Sequence, residues 1–193
     1  ESNPGKEIYQ YEKIKKRKKK YQIENKFIIL GVASSWAPRK GLDVFVKLAE
    51  DLPEEYQIVI VGIDEREKNK LPETIISITR TNNQKELAEI YSVADVFVNP
   101  TREENFPTTN IEALACGTGV ITYRTGGSPE IIDQETGVVV EKDNYDELKQ
   151  AIFKVKKDVT FSKEKCRNRS MKYSRDEKYK EYVELFESIL EGR

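Results

Sequence analysis

Two cations, Arg39 and Lys40, stand together in a polar segment, residues 34–41, between a predicted strand and a predicted helix. The free N–H groups and the dipole of a helix start already favour an anion. A guanidinium and an ammonium beside that start would add charge-assisted hydrogen bonds to a phosphate. The segment therefore predicts a phosphate site, and two solvated loop cations are the alternative that these residues leave open.

A second polar segment, residues 101–112, reads TREENFPTTNIE and carries two carboxylates around a predicted helix start. Glu112, in the first turn, is suited to accept hydrogen bonds from the two neighbouring hydroxyls of a ribose. Glu104, in the loop before the helix, adds a second acid that is useful near a developing cation. Free backbone N–H groups at the helix start could hold a phosphate, and they belong to Thr108, Thr109 and Asn110. Thr109-x-x-Glu112 also fits a capping box, in which Glu112 would only tie back its own helix.

The third polar segment, residues 125–130, reads TGGSPE and follows another predicted strand. Its two glycines would let the backbone approach a ligand closely. Ser128 is suited to cap a helix and Pro129 to occupy its first position, so a plain strand-to-helix turn is the alternative. Glu130 is the one residue that such a turn does not require.

The apolar runs between these segments predict the elements that position them. Predicted strands cover residues 27–33, 57–62, 74–81, 95–99, 120–123 and 137–140. Helical spacing of apolar residues predicts helices at 40–51, 84–92, 109–116, 145–157, 162–172 and 176–190. Strands that alternate with helices indicate an α/β fold, a Rossmann-like parallel sheet with helices on both faces. Ligands bind such a sheet beyond the carboxyl ends of its strands, where all three polar segments lie.

Composition excludes several other kinds of site. The 193 residues contain no histidine, which rules out a Ser-His-Asp triad and the common zinc sites within this chain. Neither GxGxxG after the first strand nor GxxxxGK[ST] is present, so NAD and P-loop sites lose their best evidence. The net charge of -1 gives no general case for nucleic acid. Two distant cysteines without CxxC spacing, and no apolar stretch of about 20 residues, fit a cytoplasmic protein with reduced thiols.

Residues 1–26 differ from the rest and are predicted to be a linker with a basic run, KIKKRKKK at 13–20. A solvated helix or linker is the favoured interpretation of this run. Binding to anionic lipid, which would place the protein at the inner face of the membrane, or to nucleic acid is the alternative. Either alternative would show as an affinity that falls steeply with salt.

Residues 103–130, EENFPTTNIEALACGTGVITYRTGGSPE, resemble the donor-site motif of retaining glycosyltransferases of the GT-B fold, in the large family numbered four. That motif has two glutamates separated by seven residues, then EALACG, then GGxPE. The likeness extends in order over residues 27–190, and its spelling ENFPT is similar to bacterial capsule and exopolysaccharide transferases. The matching positions are Lys40-Gly41, Asp95, Glu104, Glu112 and Glu130.

The resemblance implies a role for each matched residue. Glu112 would bind the ribose hydroxyls of a nucleoside diphosphate sugar, and Lys40 with a nearby arginine would hold the diphosphate. Glu104 would be the catalytic residue beside the transferred sugar. The base would lie near Arg80 and Thr81, with a UDP-sugar preferred to a GDP-sugar. No metal or cofactor is implied, because cations and N–H dipoles would stabilise the leaving diphosphate.

The sequence departs from the family at the position five residues before Lys40, where Ser35 replaces an arginine. We expect Arg39 to supply the missing charge, and both positions count among the donor-binding residues. Family members also have an amino-terminal acceptor domain, which implies that residues 27–193 are a donor-binding domain whose partner domain is absent. Such a chain alone would be inactive, and its acceptor would be a glycan or a lipid-linked molecule.

The last predicted helix resembles the one that, in the family, crosses back to the amino-terminal domain. Its apolar stripe would be partly exposed here and could promote self-association. The stripe consists of Tyr179, Tyr182, Val183, Phe186, Ile189 and Leu190. Two other functions are alternatives: a nucleotide-sugar-binding module without catalysis, and another enzyme on this fold, such as an epimerase. The absence of histidine weighs against the epimerase.

Overall fold

The computed structural model describes residues 18–19, 23–158 and 161–191. Within them, one parallel sheet has the strand order β3-β2-β1-β4-β5-β6. Its strands are β1 (Phe27–Val32), β2 (Tyr56–Val61), β3 (Ile76–Ile78), β4 (Val96–Asn99), β5 (Val120–Tyr123) and β6 (Gly137–Val140). The strand order reverses between β1 and β4, which pair through Ile29 with Val96 and Leu30 with Phe97. A crevice forms beyond the carboxyl ends of the strands at such a reversal.

Helices surround this sheet. They are α1 (Leu42–Asp51), α2 (Glu65–Lys68), α3 (Gln84–Val93), α4 (Thr108–Ala115), α5 (Ser128–Ile131), α6 (Tyr145–Asp158), α7 (Lys163–Met171) and α8 (Arg175–Glu191). A single 3-10 turn, Pro38–Lys40, precedes α1. The predicted α/β fold is confirmed. Each predicted strand and helix is present; β5 and β6 have the predicted ends, and the others differ at one end or both. The short helix α2 and the 3-10 turn escaped prediction because neither contains a buried residue to give a periodic pattern.

The strands are continuous apolar runs because both faces of the sheet are buried. On one face, Ile29 and Ile60 pack with Phe45 and Leu48 of α1 and with Ile152 of α6. On the other face, the alternate strand residues pack against α3, α4 and α7 through Ile28, Leu30, Val59, Tyr91, Leu114 and Cys166. Two apolar layers therefore fix the sheet and leave its carboxyl edge to polar loops.

The amino-terminal limit of the packed domain lies earlier than predicted. Ile23 is 3% exposed and belongs to the second apolar layer, so packing begins before Phe27. The predicted linker at 1–26 therefore contributes at least one residue to the core. Apart from Lys18 and Lys19, the basic run lies outside the described residues.

Helix α8 presents an apolar stripe to solvent, as the sequence predicts. Its large apolar side chains are all more than half exposed: Tyr179, Tyr182, Val183, Leu185, Phe186, Ile189 and Leu190. No helix in the described part of the chain is long and apolar enough to cross a membrane.

Candidate functional site

A cavity of ≈ 660 Å³ opens beyond the carboxyl ends of β1, β2 and β4. Its walls come from the segments after these strands and from the first turns of α4. Seven predicted site residues line it: Lys40, Arg80, Thr81, Glu104, Thr108, Thr109 and Glu112. The structure thus brings together residues from three separate parts of the chain, although what they bind stays a prediction.

Lys40 and Glu104 form an ion pair in this cavity. The Lys40 Nζ lies 2.8 Å from Glu104 Oε2, and the two side chains are 22% and 15% exposed. The other carboxylate oxygen, Oε1, accepts a hydrogen bond from the backbone N–H of Asn105 at 3.1 Å. Partial burial strengthens such a pair, because fewer water molecules screen it. The cavity therefore holds an ammonium whose position is set by a carboxylate.

The turn that carries Lys40 depends on a glycine. Gly41 has φ +75°, and a Cβ there would lie 2.5 Å from the backbone oxygen of Pro100. Any other residue would be strained and would push the turn away from the end of β4. This left-handed residue also explains why α1 begins at Leu42 and not at Lys40, where the sequence predicts its start.

The glycine pair at 126–127 serves the loop that carries Glu104. Gly126 has φ +48°, and a Cβ on it would lie 1.8 Å from the backbone oxygen of Glu104. The Gly127 N–H donates to the Asn105 oxygen at 2.7 Å. Both glycines thus approach the polypeptide closely and lie outside the cavity lining, and their approach to a ligand stays a prediction. Helix α5 begins at Ser128 itself, so the predicted capping role of Ser128 is wrong.

Glu112 points away from its own helix end. Its Oε2 accepts a hydrogen bond from the Tyr91 hydroxyl at 3.1 Å, and no side chain in the described part of the protein caps α4. The capping-box alternative is therefore wrong. Protein atoms around the carboxyl raise the pKa of Glu112 by removing water, and the Tyr91 bond opposes this effect. Since the residue remains exposed on the cavity wall, its carboxylate is available to another donor.

Asn110 belongs to a buried network behind the cavity and does not line it. Its backbone N–H donates to the Pro107 oxygen at 3.1 Å, so the prediction of a free N–H at this residue is wrong. Its side-chain oxygen accepts from Asn99 Nδ2 at 2.8 Å, and Asn99 Oδ1 accepts from the Thr101 hydroxyl at 2.5 Å. This network joins the end of β4 to α4 and so sets where Thr108 begins the helix.

Three other predicted residues also lie outside the cavity lining. Arg39 is exposed and donates through Nη1 to the backbone oxygen of Glu103 at 3.1 Å. Ser35 and the side chain of Glu130 are exposed. The Glu130 carbonyl accepts from Arg169 and from the Tyr173 hydroxyl at 2.5 Å, which anchors α5 to α7. The donor-binding roles of Ser35, Arg39 and Glu130 remain predictions without a place at the cavity wall.

Sequence reasoning missed two residues that shape the cavity. The Trp36 ring is 5% exposed, and its Nε1 donates to the Val61 oxygen at 3.1 Å, which joins the segment after β1 to the end of β2. Gly62 has φ +87°, and a Cβ there would lie 1.7 Å from the oxygen of Ala33. Each residue had one signal in the sequence, its position at the end of a predicted strand. Trp36 is also the lone tryptophan of the chain, and Gly62 ends an apolar run.

The predicted third strand is shorter than expected, which brings three polar residues to the cavity. Strand β3 ends at Ile78, and Thr79, Arg80 and Thr81 leave the sheet to form part of the cavity wall. Within the described residues no group of three or more His, Cys, Asp or Glu could hold a metal ion. The cavity wall offers two cations, Lys40 and Arg80, together with two carboxylates, hydroxyls and an uncapped helix start. Such a set can bind a polyhydroxylated anion and stabilise charge on it.

The family profile of "Glycosyl transferases group 1" matches residues 12–177. The chain belongs to this glycosyltransferase family. The sequence is 28% identical over 192 residues to the alpha-galactosylglucosyldiacylglycerol synthase of Streptococcus pneumoniae, a match that covers 85% of this chain and 46% of the synthase. The chain spans about half the length of this glycosyltransferase.

Solved structures share the fold. A glycosyltransferase from Rickettsia africae superposes with a TM-score of 0.77 at 24% identity, over 94% of this chain and 53% of that protein. Anabaena HepE, solved in complex with UDP-glucose, superposes with a TM-score of 0.71 at 17% identity, over 88% of this chain and 48% of HepE. These likenesses confirm the predicted GT-B-type sheet and again cover half of each protein.

Proposed function

We propose that this chain is the donor-binding half of a retaining glycosyltransferase, which binds a nucleoside diphosphate sugar. The observation that carries the proposal is one cavity whose wall combines the Lys40–Glu104 pair with Glu112 and the start of α4. Such a cavity suits a nucleoside diphosphate sugar, because the diphosphate can pair with a cation and the ribose hydroxyls can donate hydrogen bonds to a carboxylate. Membership of the family and the geometry of the cavity support the same function.

Sugar transfer replaces the bond between the anomeric carbon and the diphosphate oxygen by a bond to an acceptor hydroxyl oxygen, whose proton can pass to the leaving diphosphate. Negative charge develops on the diphosphate as its bond breaks. Lys40 and the uncapped N-terminus of α4, at Thr108 and Thr109, would stabilise that charge. Glu104 would lie beside the anomeric carbon and favour the positive charge that develops there. Lys40 neutralises Glu104 in the free protein, so the arriving diphosphate would share a cation that is already in place.

Glu112 would accept hydrogen bonds from the two ribose hydroxyls, and the segment at Thr79–Thr81 would face the base. HepE, which shares the fold, was solved in complex with UDP-glucose, and this supports a UDP-sugar as the donor. The relative from Streptococcus pneumoniae is named as a synthase of a glycosyldiacylglycerol, which supports a glycan or lipid-linked acceptor. No metal is required in this scheme, since cationic side chains neutralise the diphosphate.

The acceptor would be bound by an amino-terminal half of the glycosyltransferase, and α8 would dock against that half. The relatives are about twice as long as this chain, and the exposed stripe of α8 supplies an apolar surface for such a contact. Without that half, the same stripe would drive weak self-association. Light scattering on the chain with Phe186→Ser and Ile189→Ser would show a smaller average mass if α8 forms the contact, and an unchanged mass would contradict it.

The test of donor binding is calorimetric titration with UDP, GDP and ADP and with their glucose conjugates. The native chain is compared with Glu112→Ala and with the matched control Glu141→Ala, which removes an exposed carboxylate at the same edge of the sheet but outside the cavity. We expect the native chain to bind UDP. Glu112→Ala should weaken this binding about tenfold or more, because it removes hydrogen bonds to a charged acceptor. Equal binding by all three proteins, or no binding of any diphosphate, would contradict the proposal.

A further inference from the structure

The side chain of Arg102 lies outside the cavity lining and joins three segments of the chain, one of which carries Lys40. We propose that Arg102 is a positioning residue, which fixes the turn carrying Lys40 against the loop carrying Glu104. The positioning itself is argued from geometry alone. Its consequence for nucleotide binding rests on the proposed function.

Four hydrogen bonds hold the guanidinium. Nη1 and Nη2 donate to the two carboxylate oxygens of Asp43 at 2.8 and 2.7 Å, which is a bidentate pair with the first turn of α1. Nη1 also donates to the Pro38 oxygen at 3.0 Å, and Nε donates to Asp143 Oδ1 at 2.6 Å. One planar side chain therefore connects the 3-10 turn, α1 and the segment after β6.

The backbone completes the connection. The N–H of Arg102 donates to the Arg39 oxygen at 2.8 Å, one residue before Lys40. Arg102 also lies only two residues before Glu104, so the same loop carries the arginine and the carboxylate. The turn itself is closed by only two bonds, from the Lys40 N–H to the Ala37 oxygen at 2.8 Å and from the Gly41 N–H to the Pro38 oxygen at 3.3 Å. A turn this short needs outside contacts to hold one conformation.

The net charge of the cluster excludes direct attraction of a diphosphate as the role of Arg102. One guanidinium and two carboxylates, those of Asp43 and Asp143, have a net charge of about -1. Asp143 has φ +60°, the one non-glycine residue with positive φ in the described part of the chain. That conformation is uncommon outside glycine, although aspartate tolerates it better than most residues, and here it brings the carboxylate to Arg102. Lysine has no planar fork and could not make these bonds.

Hydrogen exchange on the free protein tests the positioning directly. We compare the native chain with Arg102→Ala and Arg102→Lys. The control is Arg124→Ala, which breaks one exposed ion pair, between Arg124 and Glu141, at the same edge of the sheet. Both Arg102 variants are expected to speed exchange at the Lys40 and Gly41 amides about tenfold or more, as expected for local opening. The amides of Val59 and Val98, inside the sheet, report that each variant is folded. Unchanged exchange at Lys40 and Gly41 in folded Arg102→Ala would overturn the proposal.

UDP titration then separates positioning from charge. Positioning predicts that Arg102→Lys weakens binding nearly as much as Arg102→Ala, and that Asp43→Asn weakens binding although it removes a negative charge near an anion. It also predicts that Arg102→Ala has little further effect in a Lys40→Ala background, because Arg102 acts through Lys40. Native affinity in Arg102→Lys, tighter binding in Asp43→Asn, or additive losses would overturn it. A native chain that binds no nucleotide would contradict the proposed function, while the exchange result would still decide the positioning.

Discussion

The two carboxylates of the cavity, Glu104 and Glu112, lie on neighbouring parts of the chain but in different surroundings. Glu104 is 15% exposed at its side chain, is paired with Lys40 at 2.8 Å and receives a backbone N–H from Asn105. Glu112 is exposed, it accepts from the neutral hydroxyl of Tyr91, and surrounding protein atoms raise its pKa. One carboxylate is fixed by a cation, whereas the other is held by a neutral group.

This difference separates two tasks. A carboxylate that is held by a lysine and a peptide N–H keeps its position while charges change around it, which suits a group beside a reacting bond. A carboxylate that is solvated on one side and bound by one hydroxyl retains free lone pairs, which suits an acceptor of ribose hydroxyls. Substitutions that disturb the surroundings of Glu104 should therefore have different consequences from those that disturb the surroundings of Glu112.

Gly126→Ala should have the largest effect, because it displaces the surroundings of Glu104 alone. A Cβ at 1.8 Å from the Glu104 oxygen, at φ +48°, would push the loop away and strain the backbone. We expect destabilisation of about 2–4 kcal/mol, together with loss of UDP binding measured by calorimetry. The control is Gly119→Ala, which crowds the Phe161 side chain far from Glu104. That variant should lose stability and keep its affinity, whereas a Gly126→Ala protein with native affinity would contradict the role of the glycine.

Lys40→Ala should come next and should differ from Glu112→Ala in its dependence on salt. Loss of a charge-assisted hydrogen bond to a diphosphate should weaken UDP binding about 10- to 100-fold. The remaining affinity of Lys40→Ala should depend less on salt than that of the native chain, because its cation is gone. Glu112→Ala should keep the native salt dependence. UDP titrations of the native chain, Lys40→Ala and Glu112→Ala at two salt concentrations measure the affinity and its salt dependence. The same salt dependence in all three proteins would contradict the different roles of Lys40 and Glu112.

The pH dependence of binding should follow Glu112. Because its pKa is raised, this carboxyl becomes protonated at a higher pH than an ordinary glutamate, and it then loses acceptor capacity. UDP affinity should therefore fall as the pH decreases, and the fall should begin above the ordinary range of a glutamate, about pH 4. Glu112→Gln should bind more weakly at neutral pH and should lack this step. Affinity profiles of identical shape in the native chain and in Glu112→Gln would show that another group titrates.

The same raised pKa predicts a small gain in stability. Folding favours the neutral form of Glu112, so the ionised side chain opposes folding fully above its raised pKa, less as the pH falls from there, and no longer once the pH is below the ordinary pKa of a glutamate. Glu112→Gln removes the charge and keeps an oxygen that can accept from Tyr91. Since the residue is exposed, we expect a rise in melting temperature of only about 1 °C at neutral pH. No rise at neutral pH, or an equal rise at about pH 4, the ordinary range of a glutamate, would contradict the assignment.

Arg39→Ala should have the smallest effect on binding. The guanidinium is exposed and bound to the Glu103 oxygen, and it does not line the cavity. If Arg39 supplies the charge that Ser35 lacks, its loss should weaken UDP binding by a few-fold through long-range attraction, which salt would screen. Unchanged affinity at low salt would show that the substitution at Ser35 is not compensated by this arginine.

The sequence alone determined the sheet, most helices and several charged and polar residues of the cavity wall. Continuous apolar runs, such as those around Ile29 and Ile60, have one physical solution, which is burial on both faces of a sheet. Polar segments at strand ends must then meet at the carboxyl edge, and for that reason Lys40, Glu104 and Glu112 could be placed together from their positions in the chain. The motif of residues 103–130 added the family.

Tertiary structure decided which polar residues do what. The capping box and the tyrosine contact are both compatible with the spacing of Glu112, and only the position of α3 beside α4 selects Tyr91. The sequence could not show that Gly126 approaches the oxygen of Glu104, more than twenty residues earlier. Arg102 resembles any loop cation in sequence, because its partners Asp43 and Asp143 lie 59 and 41 residues away. Local patterns carry information about burial, whereas polar pairing depends on distances that exist only after the chain has folded.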